Sequence, residues 1–132
     1  MRRLLFSPAA QRGWLALLVV LAAGVVTLAC LPASVHGPSL GWDKLNHAAA
    51  FMTLAFCGHF AFRERPRSLF WVSFLLLALG VGIELLQMQI PGRRAEVDDV
   101  LADALGLCVG LLVAIQLGRR LDRRRRPRKR LG

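Results

Sequence analysis

Four long apolar runs alternate with short charged segments, and the sign of the charge alternates with them. The runs cover residues 13–31, 45–62, 68–86 and 100–117. Each has about the length that crosses a hydrocarbon core of ~30 Å at ~1.5 Å per residue. Arg2, Arg3 and Arg12 precede the first run, and Arg63, Arg65 and Arg67 separate the second from the third. After the fourth, residues 119–130 carry the densest basic cluster. Of the 18 lysines and arginines, only Lys44, Arg93 and Arg94 fall in the two intervening segments. Those segments and the adjoining ends of the runs hold most of the 8 acids: Asp43, Glu84, Glu96, Asp98, Asp99 and Asp103. Basic residues on alternate connections orient a multi-span chain by the positive-inside rule. The expectation is an all-α, four-transmembrane-helix bundle in the cytoplasmic (plasma) membrane, with both the N and the C terminus cytoplasmic.

This pattern decides what the net charge of +10 means. In a soluble domain such a charge would point to nucleic acid. Here it reports topology, so the partner expected is the lipid bilayer and no nucleic acid. A cytoplasmic segment (1–12) leads into the four-helix domain (13–117), and a basic tail (118–132) can rest on anionic headgroups. With 132 residues and a hydrophobic content of 55%, the chain has room for one small bundle and no soluble domain. The first run exceeds the ~7–15 residues of a signal-peptide core and no Ala-x-Ala site follows it, so it is predicted to remain as a helix. Cys30, Cys57 and Cys108 form no CxxC and read as small buried apolar residues. Trp14, Trp42 and Trp71 lie near span ends, where interfacial anchors are expected.

The polar residues of three runs meet at one membrane face. On this topology the second run begins outside, the third ends outside and the fourth begins outside. Asp43, His47, Phe51 and Leu54 are spaced four, four and three apart, so they share a face of the second helix. Gly80, Glu84 and Gln87 share a face of the third, and Asp99, Asp103, Gly106 and Gly110 a face of the fourth. Gly106 and Gly110 make a small-xxx-small stripe that permits close helix packing. The three faces are predicted to turn inward as a polar cup open to the outer surface. Ionisable residues within a span are costly there, which marks them for a function. They can equally form a charge-paired plug that fixes helix register, and the sequence leaves both readings open.

Three motifs resemble one family. Asp43-Lys44-Leu45-Asn46-His47-Ala48-Ala49-Ala50-Phe51 is similar to the DKxxHxxxF motif of the VanZ-like family, and Glu84-Leu85-Leu86-Gln87 to its ExxQ. Pro91-Gly92-Arg93, followed by Asp98-Asp99 and Gly106, resembles its PGR…DxxxNxxGxxxG segment. The chain departs from that pattern at Asp103, where the family usually has Asn. The resemblance implies a small multi-pass membrane protein of the cell envelope. The family takes its name from a protein linked to resistance against the glycopeptide teicoplanin, which implies a possible link of this chain to antibiotic resistance. It does not imply a reaction.

The function expected is binding at the outer cup of a lipid, a lipid-linked cell-wall component or a glycopeptide-like amphiphile. Arg93 is the natural anion contact, since a guanidinium holds phosphate or carboxylate in bidentate fashion. Lys44 supplies a point charge at headgroup level, and Asp43, His47, Glu84, Gln87, Asp99 and Asp103 orient polar parts of the ligand. Phe51 lines its apolar part, and Gly106 and Gly110 serve helix packing. Ser34, Ser39, Ser68 and Ser73 lack a G-x-S-x-G setting, and no HExxH or paired-His spacing occurs. Binding is therefore favoured over catalysis, with no cofactor and no dedicated metal motif. The alternative is a membrane-embedded enzyme for a lipid-linked phosphate or ester. In it His47, Glu84, Asp99 and Asp103 act as an acid–base set or hold a divalent metal. A second copy of the chain or another envelope protein can complete either site. A proton path through the bundle would need His59 as its stepping stone toward the cytoplasm.

Overall fold

The computed structural model describes residues 7–32, 43–63, 65–92 and 95–123, and all regular structure among them is helical. Four helices follow in order: α1 (Pro8–Ala29), α2 (Asp43–Phe62), α3 (Pro66–Gln87) and α4 (Val97–Arg123). Helix α1 begins ahead of its apolar run because its capping residues lie there. The Ser7 hydroxyl accepts the Ala10 N–H at 3.1 Å, and Pro8 occupies the first turn, where its missing N–H costs nothing. Pro66 opens α3 in the same way. Helix α4 runs past its apolar stretch into Arg120 and Arg123, cations that suit the negative end of the helix dipole. Between α3 and α4 the chain turns at Gly92, whose φ of 81° only glycine adopts freely.

Helices α1, α3 and α4 are long and apolar enough to cross a membrane. The sequence predicts a fourth such span at 45–62, but α2 is shorter, at 20 residues, and polar at its start. Packing explains the difference. Helix α2 packs along α4 and also meets α1 and α3. Its second half is buried from Leu54 to Ala61 apart from the half-buried Phe56, so most of its side chains meet protein where those of the other helices also meet the surroundings. A central helix can carry Asp43, Lys44, Asn46 and His47 because neighbouring helices, rather than lipid, receive them.

The tightest seam joins α2 to α4. Gly106 lies against the carbonyl of Ala48 and Gly110 against that of Met52, so closely that a methyl group at either glycine would overlap backbone. Lys44 pairs with Glu96 near the start of both helices, and Arg63 pairs with Asp122 near their ends. Helices α2 and α4 therefore run parallel in direct contact, and α3, which connects them in sequence, packs against both. Phe51, Leu54 and Ile83 are almost completely buried and form the core with Leu18, Leu76 and Leu107.

Two sequence expectations change here. Trp14 stacks on Phe60 with ring centroids 5.2 Å apart and meets Phe56 edge-on, so it fastens α1 to α2. Trp71, by contrast, is exposed beside Phe70 and Phe74, as an anchor would be. Trp42 lies outside the described residues. Cys57 is buried as expected, but Cys30 and Cys108 are exposed.

Candidate functional site

The parallel seam sets the register that builds the site. Ala48 opposite Gly106 brings its neighbour His47 against Asp103, one turn before Gly106 on α4. His47 Nδ1 lies 3.0 Å from Asp103 Oδ1, a hydrogen bond in which Asp103 is wholly buried. On the other side of the ring, His47 Nε2 lies 3.9 Å from Glu84 Oε1 on α3. That distance exceeds hydrogen-bonding range. The other oxygen, Glu84 Oε2, accepts the backbone N–H of Glu96 at 2.9 Å and ties the end of α3 to the segment that starts α4. Two buried carboxylate oxygens, Glu84 Oε1 and Asp103 Oδ2, have no hydrogen-bond partner among the described residues. Room for the second comes from Gly80, where a methyl group would overlap the Asp103 carboxylate and touch the Phe51 ring.

Above this layer is a charged rim. Lys44 Nζ donates to Glu96 Oε2 at 2.7 Å and lies 3.5 Å from Asp99 Oδ1 and 3.6 Å from Asp98 Oδ2. The hydrogen bond to Glu96, with the carboxylates of Asp99 and Asp98 nearby, holds the lysine above its ordinary pKa. Asp98 is exposed and Asp99 is buried, and both occupy the first turn of α4, where negative charge suits the helix dipole. Asp43 is exposed at the first turn of α2. One ligand atom from each of Asp43, His47 and Asp99 lies within 4.8 Å of the others.

The structure thus gathers Asp43, Lys44, His47, Glu84, Asp99 and Asp103 at one end of the bundle. Two residues expected with them are used elsewhere. Phe51 belongs to the apolar core, fully buried, and forms the floor beneath Asp103 instead of lining a ligand cavity. Gln87 is also buried, and its Nε2 donates to the Ala29 carbonyl at 3.4 Å, satisfying an acceptor at the end of α1. The cup is also more closed than the sequence suggests, since Glu84, Asp99 and Asp103 are each at most 5% exposed. Arg93 and Arg94 lie outside the described residues. Glu96 is the residue that sequence reasoning missed. It is the partner of Lys44 and its amide holds Glu84, and the signal was its charge, opposite to Lys44 on the same face.

The arrangement can do two kinds of chemistry. Its oxygens accept from hydroxyl, amine or metal, and His47 with Asp103 has the geometry of a base and the carboxylate that orients it. The family model described as VanZ/LLP1 matches residues 5–118. No curated protein and no solved structure matches the chain.

Proposed function

The chain belongs to the VanZ/LLP1 family, and from that premise we propose that this membrane protein binds a lipid or lipid-linked cell-wall component at the acidic end of its bundle. On the positive-inside reading that end faces outward from the cytoplasmic membrane, at headgroup depth. The observation that carries the proposal is the convergence of Asp43, His47, Glu84, Asp99 and Asp103 from α2, α3 and α4 on one end of the bundle. Buried carboxylates at an interface suit a headgroup rich in donors, such as sugar hydroxyls or an amine. Lys44 at the rim and Arg93 beside it in the sequence are the proposed contacts for a phosphate. Glycopeptides are amphiphiles with the same donor chemistry, so altered teicoplanin susceptibility is a further arm of the proposal.

Native mass spectrometry of the detergent-released protein tests it. A lipid or lipid-linked species that co-purifies with the wild type and is lost in folded His47→Ala and Arg93→Ala proteins is the expected result. An empty wild type, with variants that no longer fold, would leave the cluster as a plug that fixes helix register. The His47–Asp103 hydrogen bond favours one second reading, acid–base catalysis on a lipid-linked phosphate or ester. Turnover of such a substrate, abolished in folded His47→Ala, would replace binding by catalysis.

A further inference from the structure

We infer that the acidic end holds a divalent transition-metal ion, bound by His47 Nε2 and the carboxylates of Asp43, Asp99 and Glu84, with Asp103 positioning the imidazole. The inference goes beyond the headgroup reading and does not depend on it, because it rests on the protein's own side chains.

Two independent observations point to a cation. The first is proximity, with ligand atoms of Asp43, His47 and Asp99 within 4.8 Å of one another. An ion bonded at ~2.1 Å keeps its ligands ~3–4 Å apart, so small side-chain movements close such a set. The second is Glu84. Its Oε1 is buried, has no hydrogen-bond partner among the described residues, and faces His47 Nε2 at 3.9 Å. That is too far for a hydrogen bond and about the spacing of two ligands on one ion. A buried acceptor left without a donor is costly, and a cation between it and the ring satisfies both.

The other face of the ring fits as well. Metal-bound histidines usually give their second N–H to a carboxylate, which fixes the tautomer and the ring plane. Asp103 Oδ1, at 3.0 Å from Nδ1 and fully buried, is placed to do this. A proton on Nδ1 leaves Nε2 a lone pair directed toward Glu84. The ligands come from α2, α3 and α4, so the helix packing itself preforms the site. One imidazole with three carboxylates suits Mn²⁺ or Zn²⁺ better than Ca²⁺, whose sites are built from oxygen. Lys44 stands at the edge and donates to Asp99 Oδ1 at 3.5 Å as well as to Glu96, which leaves the second oxygen of Asp99 for the ion.

The test is titration of the chelator-treated full chain with Mn²⁺ and, separately, Zn²⁺, in detergent and in nanodiscs of phosphatidylcholine. Expected is one ion per chain, with an imidazole-nitrogen coupling in the Mn²⁺ pulsed-EPR spectrum. Glu84→Gln and Asp99→Asn should each weaken binding at least tenfold. Asp103→Asn should weaken it by about tenfold and alter the nitrogen coupling, a change that a purely structural role would not produce. Absence of binding by the folded wild type overturns the inference, as does binding unchanged in both ligand variants. If those variants do not fold, the wild-type spectrum decides, and a bound Mn²⁺ without nitrogen coupling overturns it. Metal bound in detergent with no co-purified lipid would leave this inference standing and remove the headgroup reading. A co-purified lipid without metal would do the reverse.

Discussion

His47 and His59 sit on the same helix, and both are largely shielded from solvent, yet only one belongs to a polar site. His47 bonds to Asp103 and faces Glu84, whereas neither ring nitrogen of His59 has a hydrogen-bond partner among the described residues. His59 packs edge-on to Phe60, with ring centroids 5.3 Å apart, in a stretch of α2 that also buries Cys57 and Ala61. What distinguishes them is the neighbours. At the acidic end α3 and α4 bring carboxylates to α2. At the other end the described cross-helix ion pair is Arg63 with Asp122, which is partly exposed. A histidine in a packed helix becomes a site through what the other helices carry to it, and the seam between α2 and α4 decides what that is.

Breaking the seam should therefore have the largest effect and should abolish the contrast altogether. Gly106→Val places a branched side chain against the backbone of Ala48, which cannot yield without parting the helices. The expected cost is about 3 kcal/mol or more, enough to deplete the protein from the membrane fraction. Wild-type abundance and melting temperature in Gly106→Val would mean that α2 and α4 are not held in this register.

The two histidines can then be compared by the same substitution. His47→Phe removes the partner of a fully buried carboxylate and should cost about 3 kcal/mol. His59→Phe loses no hydrogen bond and should leave stability unchanged or raise it by up to about 1 kcal/mol. Thermal melts of both in one detergent check the pair, and equal losses would dissolve the distinction. Asp103→Asn is the milder probe of the same contact. An amide oxygen still accepts from His47 Nδ1, so the expected loss is about 1 kcal/mol, well below that of His47→Phe.

Much of this was legible in the sequence, for reasons that also mark where legibility stopped. The helices follow from apolar runs of membrane-crossing length, and the inward faces follow from spacing. Asp43, His47, Glu84, Asp99 and Asp103 do converge, because each lies near a helix end that the charge alternation places at one face. Register between helices was not legible. Spacing cannot say that the hydrogen bond of His47 goes to Asp103 while Asp99 stands nearby, since that depends on how closely Gly106 and Gly110 admit the α2 backbone. Gln87 was assigned to the cup because it shares a face with Glu84, but its amide reaches the end of α1, whose position no motif encodes. The low apolarity of α2 has the same origin. A helix surrounded by other helices need not look like a lipid-facing span, and only packing shows that it is surrounded.

The smallest effect is expected at the rim, and it sharpens the comparison by its size. Lys44 is bound to Glu96 with Asp98 and Asp99 close by, but the pair is solvated and screened by salt. Lys44→Gln should shift the melting temperature only slightly, and less in high salt. The sign of its pH dependence follows from the raised pKa of the lysine. Its contribution is complete below the free-lysine value of ~10.4 and is lost only as pH rises through the higher folded value. The difference between wild type and Lys44→Gln should therefore stay flat across neutral pH. At the opposite end Arg63→Gln removes a pair of the same exposed kind and should also cost little. With both exposed pairs worth so little, a large difference between the two ends must come from the buried layer of His47, Glu84 and Asp103. A Lys44→Gln protein as destabilised as His47→Phe would reverse that assignment and make the rim the element that holds the acidic end together.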